Sequence, residues 1–127
     1  MTDFLNEAKE LFPYTQSMRR DFHMHPELGF KEIRTGGIVS KELEALGLEV
    51  TKGVGKTGVV ALLEGAKPGP TLLIRFDMDA LPMQELTEAE YKSQVAEKMH
   101  ACGHDAHTAM VLGAAKLLAK EKLNGRI

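Results

Sequence analysis

Apolar residues recur at helical spacing over residues 3–23, at Phe4, Leu5, Ala8, Leu11, Phe12, Tyr14, Met18 and Phe22, and predict a helix there. Pro13 falls inside that window. It predicts either a kink or a division into a short first piece and a longer second piece starting near the proline. His25-Pro26 ends the helical stretch, because a residue before proline avoids the α region. Ile33, Ile38, Val39, Leu43 and Leu46 share one side of a second helix over 31–46, with Gly47 as its C-terminal cap. The interior pair Gly36-Gly37 opposes this helix by roughly 2 kcal/mol relative to alanine.

Three strands are predicted next, over 48–52, 58–63 and 71–76. Turn-rich connectors separate them, and the second and third are expected to form a hairpin. Their nearly continuous apolar character suits a sheet covered on both faces. Residues 86–98 are polar and aperiodic, and predict an irregular excursion. Met110, Val111, Ala114, Leu117 and Leu118 then mark a strong helix over 107–121, with Asp105 or Thr108 as its cap. Asn124-Gly125 is a stop signal, and Arg126-Ile127 reads as the first step into another strand, so the chain is expected to be a fragment of something longer. The order helix, helix, strands, helix defines an α/β domain.

The chemistry concentrates in Met99-His100-Ala101-Cys102-Gly103-His104-Asp105-Ala106-His107, which holds the single cysteine and three of the five histidines. A thiolate and imidazoles beside a carboxylate are ligands that zinc or a similar transition metal prefers. Cys102 and His104 have the spacing Cys-x-His at a helix start, where the helix N-terminus favours thiolate over thiol. A zinc site uses at least three protein groups, and His100 and His107 are nearby candidates. Upstream, Asp77-Met78-Asp79 follows the apolar run Leu72-Leu73-Ile74. Acids just past a buried strand are where open α/β sheets place their chemistry, and one of them can accept the N–H of a ligating imidazole. His23-x-His25 has no acid or thiol close in sequence and reads as a helix terminus with favourable cation–dipole contacts. Gly53-Val54-Gly55-Lys56-Thr57-Gly58 lacks phosphate-loop spacing and reads as a turn between strands.

Composition narrows the function classes. The chain has 127 residues, 43% of them hydrophobic, enough for one domain with a core. A formal charge of −2 with no basic run beyond Arg19-Arg20, taken as a solvated helix face, argues against nucleic acid. One cysteine makes no internal disulfide, so a reducing, cytoplasmic location is expected. The N-terminal residues lack a basic, then apolar, leader, and no window approaches the roughly 18 apolar residues of a spanning helix.

Four blocks resemble a known family in order and over nearly the whole chain. They are Arg19-Arg20 with His23-Met24-His25-Pro26-Glu27-Leu28-Gly29-Phe30; Thr57-Gly58-Val59-Val60-Ala61; Arg75-Phe76-Asp77-Met78-Asp79-Ala80-Leu81-Pro82-Met83-Gln84-Glu85; and Lys98-Met99-His100-Ala101-Cys102-Gly103-His104-Asp105-Ala106-His107-Thr108-Ala109. The chain resembles the N-terminal part of the N-acyl-amino-acid amidohydrolases, which include hippurate hydrolases and auxin-conjugate hydrolases and form a branch of the dinuclear zinc metallopeptidases. The resemblance implies a truncated three-layer α/β/α zinc-peptidase-like catalytic domain, of which residues 1–127 are the N-terminal part. It implies two divalent metal ions, zinc, manganese, nickel or cobalt, and a small N-acyl amino acid as substrate. Cys102 and His104 fall on metal-ligating positions, and Asp79 on an aspartate that orients the site. Asp77 stands where relatives outside the branch carry a histidine ligand, and has a supporting role. Phe76 replaces a common alanine, a minor departure. The family's general-base glutamate, two further ligating histidines and an inserted lid or dimerisation domain lie beyond this segment. The fragment is therefore expected to be inactive alone, and a homodimer belongs to the full-length protein. Two alternatives are a cysteine hydrolase using Cys102 and a non-catalytic metal-binding or interaction domain.

Overall fold

The structure, a computed structural model, describes residues 3–127. Met1 and Thr2, the first residues of the stretch searched for a leader, lie outside the described residues. The N-terminal helical stretch divides rather than kinks. Helix α1 (Phe4–Glu10) is capped by Asp3, whose carboxylate accepts from the Asn6 backbone at 3.2 Å and its side chain at 2.6 Å. Helix α2 (Phe12–Met24) restarts after Leu11 with Pro13 in its first turn, where a missing N–H leaves no bond unmade.

Helix α3 (Ile33–Ala45) tolerates its glycine pair for a packing reason. A Cβ on Gly36 would stand 3.1 Å from the Thr57 carbonyl oxygen and 3.8 Å from Val59 Cγ2. The bare backbone lets α3 lie close to the hairpin of β1 (Glu49–Val54) and β2 (Gly58–Leu62). Those two strands pair antiparallel around Gly55-Lys56-Thr57, so the glycine-rich stretch is the expected turn. The Glu27 carboxylate caps α3 from outside, accepting from Arg34 N at 2.9 Å and from both Thr35 N and Thr35 Oγ1 at 2.7 Å.

The other strands differ from expectation. The predicted second strand pairs with the first, and the predicted hairpin with the third does not form. Strand β3 spans Lys67–Thr71 and pairs parallel with β4 (Asn124–Arg126), which realises the expected strand at Arg126. Pro68 and Pro70 cannot donate, and the register shifts between Lys67 and Thr71. Residues 72–76, predicted as strand, have no regular secondary structure. Leu72 N still donates to the Arg126 carbonyl at 2.9 Å. Beyond it no backbone hydrogen bond among the described residues reaches the apolar run, and Leu73 is 86% exposed. An apolar sequence becomes strand only where a neighbour supplies the ladder.

Helix α4 (His104–Leu118) starts three residues earlier than the pattern predicted. Gly103, at φ 88°, turns the chain into it, and neither Asp105 nor Thr108 caps it. Phe22, Val39, Leu43 and Leu112 form the buried core between α2, α3 and α4, and Val50, Val59, Ala61 and Met78 pack against it. Gly113 brings α4 against α2, since a Cβ there would lie 3.0 Å from Thr15 Oγ1. Residues 86–98 are irregular, as expected. Among the described residues, no helix is long and apolar enough to cross a membrane.

Candidate metal-ligand site

The segment carrying Asp77 and Asp79 is clamped from two sides. Ala80 N donates to the Glu27 carbonyl at 2.7 Å, and Leu28 bridges Ala80 in parallel. Leu81 and Met99 exchange two backbone hydrogen bonds, at 2.9 and 3.0 Å. The loop after α2, the acidic segment and the approach to α4 are thus joined edge to edge. A Cβ on Gly29 would stand 3.8 Å from Asp79 Oδ2.

This clamp brings Asp79 to the first residue of α4. His104 Nδ1 lies 3.0 Å from Asp79 Oδ1 and 2.9 Å from the Asp79 carbonyl oxygen. Both are acceptors, so Nδ1 carries a hydrogen, and Nε2 is the ring nitrogen left for a ligand. Asp77, held by Arg75 Nη2 at 2.6 Å, places Oδ2 4.0 Å from that Nε2. Thr108 Oγ1 lies 3.1 Å from the Asp77 carbonyl and 2.9 Å from that of His104, tying the helix's first turn to the acidic segment. Cys102 is exposed, two residues before His104. The exposed His107 ring lies 5.6 Å from that of His104, centroid to centroid.

An imidazole whose Nδ1–H is held by a carboxylate and a carbonyl is the form in which histidine ligates metal. The thiol and this imidazole therefore fit a divalent ion as part of a donor set. Among the described residues no three His, Cys, Asp or Glu side chains converge into a complete site. His100 does not complete one. It is 4% exposed, and neither of its ring nitrogens has a hydrogen-bond partner among the described residues. Burial lowers its pKa, with the neighbouring Asp105 carboxylate opposing.

The surroundings of His23 and of Arg19-Arg20 differ from expectation. His23 does stand in the last turn of α2, but its ring meets two carboxylates rather than the helix end. It is buried, with Nδ1 2.7 Å from Asp105 Oδ2 and Nε2 3.2 Å from Glu85 Oε1. Arg19-Arg20 is not simply a solvated face either. Arg19 Nε lies 2.9 Å from Asp105 Oδ2, and both guanidinium groups stack on Tyr91. Periodicity assigns no role to Glu85, which closes the acidic block, or to Tyr91, which lies in the aperiodic stretch. His25 does meet a helix C-terminus, with Nδ1 2.9 Å from the Asp21 carbonyl.

Fold and site together define an α/β segment in which a carboxylate-held imidazole opens a helix two residues after a lone thiol. The model of peptidase family M20/M25/M40 matches residues 73–127. Thermostable carboxypeptidase 1 of Saccharolobus solfataricus is 49% identical over 92% of this chain and 30% of its own length. Hippurate hydrolase of Campylobacter jejuni is 46% identical over 98% of this chain and 33% of its own. The YxeP protein of Bacillus subtilis, a dinuclear metal-binding peptidase of the M20 family, superposes with a TM-score of 0.87 at 43% identity, covering 93% of this chain and 34% of that one. The chain belongs to the M20/M25/M40 peptidase family and has its α/β fold. It spans about a third of the length of these relatives.

Proposed function

We propose that this chain is the N-terminal part of the catalytic domain of a metal-dependent amidohydrolase. The reaction is hydrolysis of the amide bond of an N-acyl amino acid, giving a carboxylate and a free amino acid. Cys102 and His104 are two of the ligands of a pair of divalent ions, zinc, manganese, nickel or cobalt, and Asp79 orients the site. The observation that carries this reading is the Asp79 grip on His104 Nδ1, which leaves Nε2 as a donor two residues along the chain from an exposed thiol. The hippurate hydrolase similarity supports the substrate class. When bound, the metals supply Lewis-acid polarisation of the amide carbonyl and a water of lowered pKa.

This chain's own residues supply the rest of the present half-site. Asp79 holds the imidazole in one tautomer, and the Glu27–Ala80 and Leu81–Met99 bonds fix the acid against α4. Asp77, tied by Arg75, adds negative charge within 4.0 Å of Nε2. A cytoplasmic location accords with the lone cysteine.

Two measurements test the reading. Cadmium titration of the purified chain is expected to raise a thiolate-to-metal ultraviolet band that Cys102→Ser abolishes; no band in the parent chain refutes metal ligation. The chain alone is expected not to cleave hippurate, and cleavage that withstands chelation would refute its being an incomplete centre.

A further inference from the structure

Resting on the ligand role of His104, we propose that His23 is a positioning residue whose ring, bridging Asp105 and Glu85, sets the first turn of α4. The start of this helix has no side-chain cap of its own. Its placement depends on what its first residues hold, and Asp105, next to His104, is 1% exposed. Asp105 Oδ2 takes Arg19 Nε at 2.9 Å and His23 Nδ1 at 2.7 Å. On the far side of the ring, His23 Nε2 meets Glu85 Oε1 at 3.2 Å. Glu85 is itself anchored by Ser93 N at 2.6 Å and by the Thr87 hydroxyl.

Carboxylate oxygens accept, and each nitrogen of this ring lies within hydrogen-bond reach of one, so the ring joins two carboxylates through its two nitrogens. The Arg19 guanidinium closes the Asp105 side. That shared ring is what makes the cluster a brace. Removing the ring leaves two nearly buried carboxylates, and among the described residues Glu85 has no other ion-pair partner. Such groups relieve themselves by moving toward water. Asp105 cannot do so without carrying the adjacent His104 away from Asp79.

The test uses the 127-residue chain and cadmium ion. Affinity is read from the thiolate band, below each variant's unfolding midpoint, and the midpoint without metal is measured in parallel. His23→Leu should weaken cadmium binding about 10–100-fold, the range for loss of an outer support. His23→Gln, which keeps an amide donor, should recover part of it. Val39→Ala, in the core away from the cluster, should lower the midpoint and leave affinity unchanged. His23→Leu with a lowered midpoint but parental affinity makes the cluster purely structural and overturns the proposal. If the leucine variant does not fold, the glutamine variant decides: several-fold weaker binding supports positioning, and parental affinity overturns it. A parent chain with no cadmium band removes the ligand reading and this inference with it, whereas a parental band with no effect of His23 removes this inference alone.

Discussion

Replacing Asp79 separates the two acceptors that hold His104. The Asp79→Ala variant removes Oδ1, at 3.0 Å from Nδ1, and leaves the carbonyl oxygen, at 2.9 Å. That carbonyl should stay in place, because Ala80 N remains bonded to Glu27 and Leu81 to Met99. The tautomer is therefore expected to survive, and only the charged half of the grip is lost. Outer-shell substitutions cost about 10–100-fold in metal affinity. With one acceptor retained and the Asp79 side chain 39% exposed to screening water, the loss should fall at the low end, about tenfold or 1.4 kcal/mol. Asp79→Asn keeps an acceptor oxygen and loses the charge. Charge-assisted bonds are about twice as strong as neutral ones, so it should lose about half as much free energy, roughly threefold in affinity. Cadmium titration gives the affinities, and nitrogen NMR of the His104 ring reports which nitrogen carries the hydrogen. A hydrogen moved to Nε2 in Asp79→Ala would refute the claim that the carbonyl suffices. Parental affinity in both variants would refute the claim that the carboxylate supports the ligand at all.

Other sites give sharper stability readouts. Glu27→Ala strips the three bonds that cap α3 and should cost about 2 kcal/mol in urea unfolding, with Glu27→Gln intermediate. Equal losses for the two variants would show that charge is irrelevant there. The Tyr14 hydroxyl, 2.6 Å from Glu42 Oε2, is the main influence holding that carboxyl below its usual pKa; burial opposes it and Lys116 assists. A depressed carboxyl contributes stability above its unfolded pKa and loses it as pH falls through the folded value. Tyr14→Phe should thus flatten the acid limb of midpoint against pH, and an unchanged limb would count against this linkage. Leu112→Ala, at a side chain 1% exposed in the core, should cost about 3 kcal/mol of unfolding free energy, and a loss below about 1 kcal/mol would mean that the site collapses to fill the void.

What the sequence discloses follows the range of the interaction. The helices are legible because their apolar spacing and breakers are local: Pro13 divides the first stretch, and α3 lies within two residues of its predicted bounds. The start of α4 was misplaced because a left-handed glycine, Gly103, opens it where side-chain caps were sought. Residues 72–76 read as strand from composition, yet strand is a relation between two segments, and β4 offers partners only to their beginning. The site shows the same division. Asp79 and His104 are 25 residues apart, but each stands in a dense local block of acids or imidazoles, and the blocks alone predict that one of the two acids meets an imidazole, without saying which pair. His23 meets Asp105 across 82 positions and Glu85 across 62, with no local signature for either.

Density of titratable residues therefore marks where chemistry sits without sorting ligands from braces. The sorting comes from the ring nitrogens. His23 has both committed to carboxylates and cannot ligate, while His104 has Nδ1 committed and Nε2 spared in a side chain 16% exposed. The two histidines thus differ in what they can offer, because both nitrogens of His23 lie within hydrogen-bond reach of a carboxylate and only Nδ1 of His104 does, Asp77 standing 4.0 Å from its Nε2.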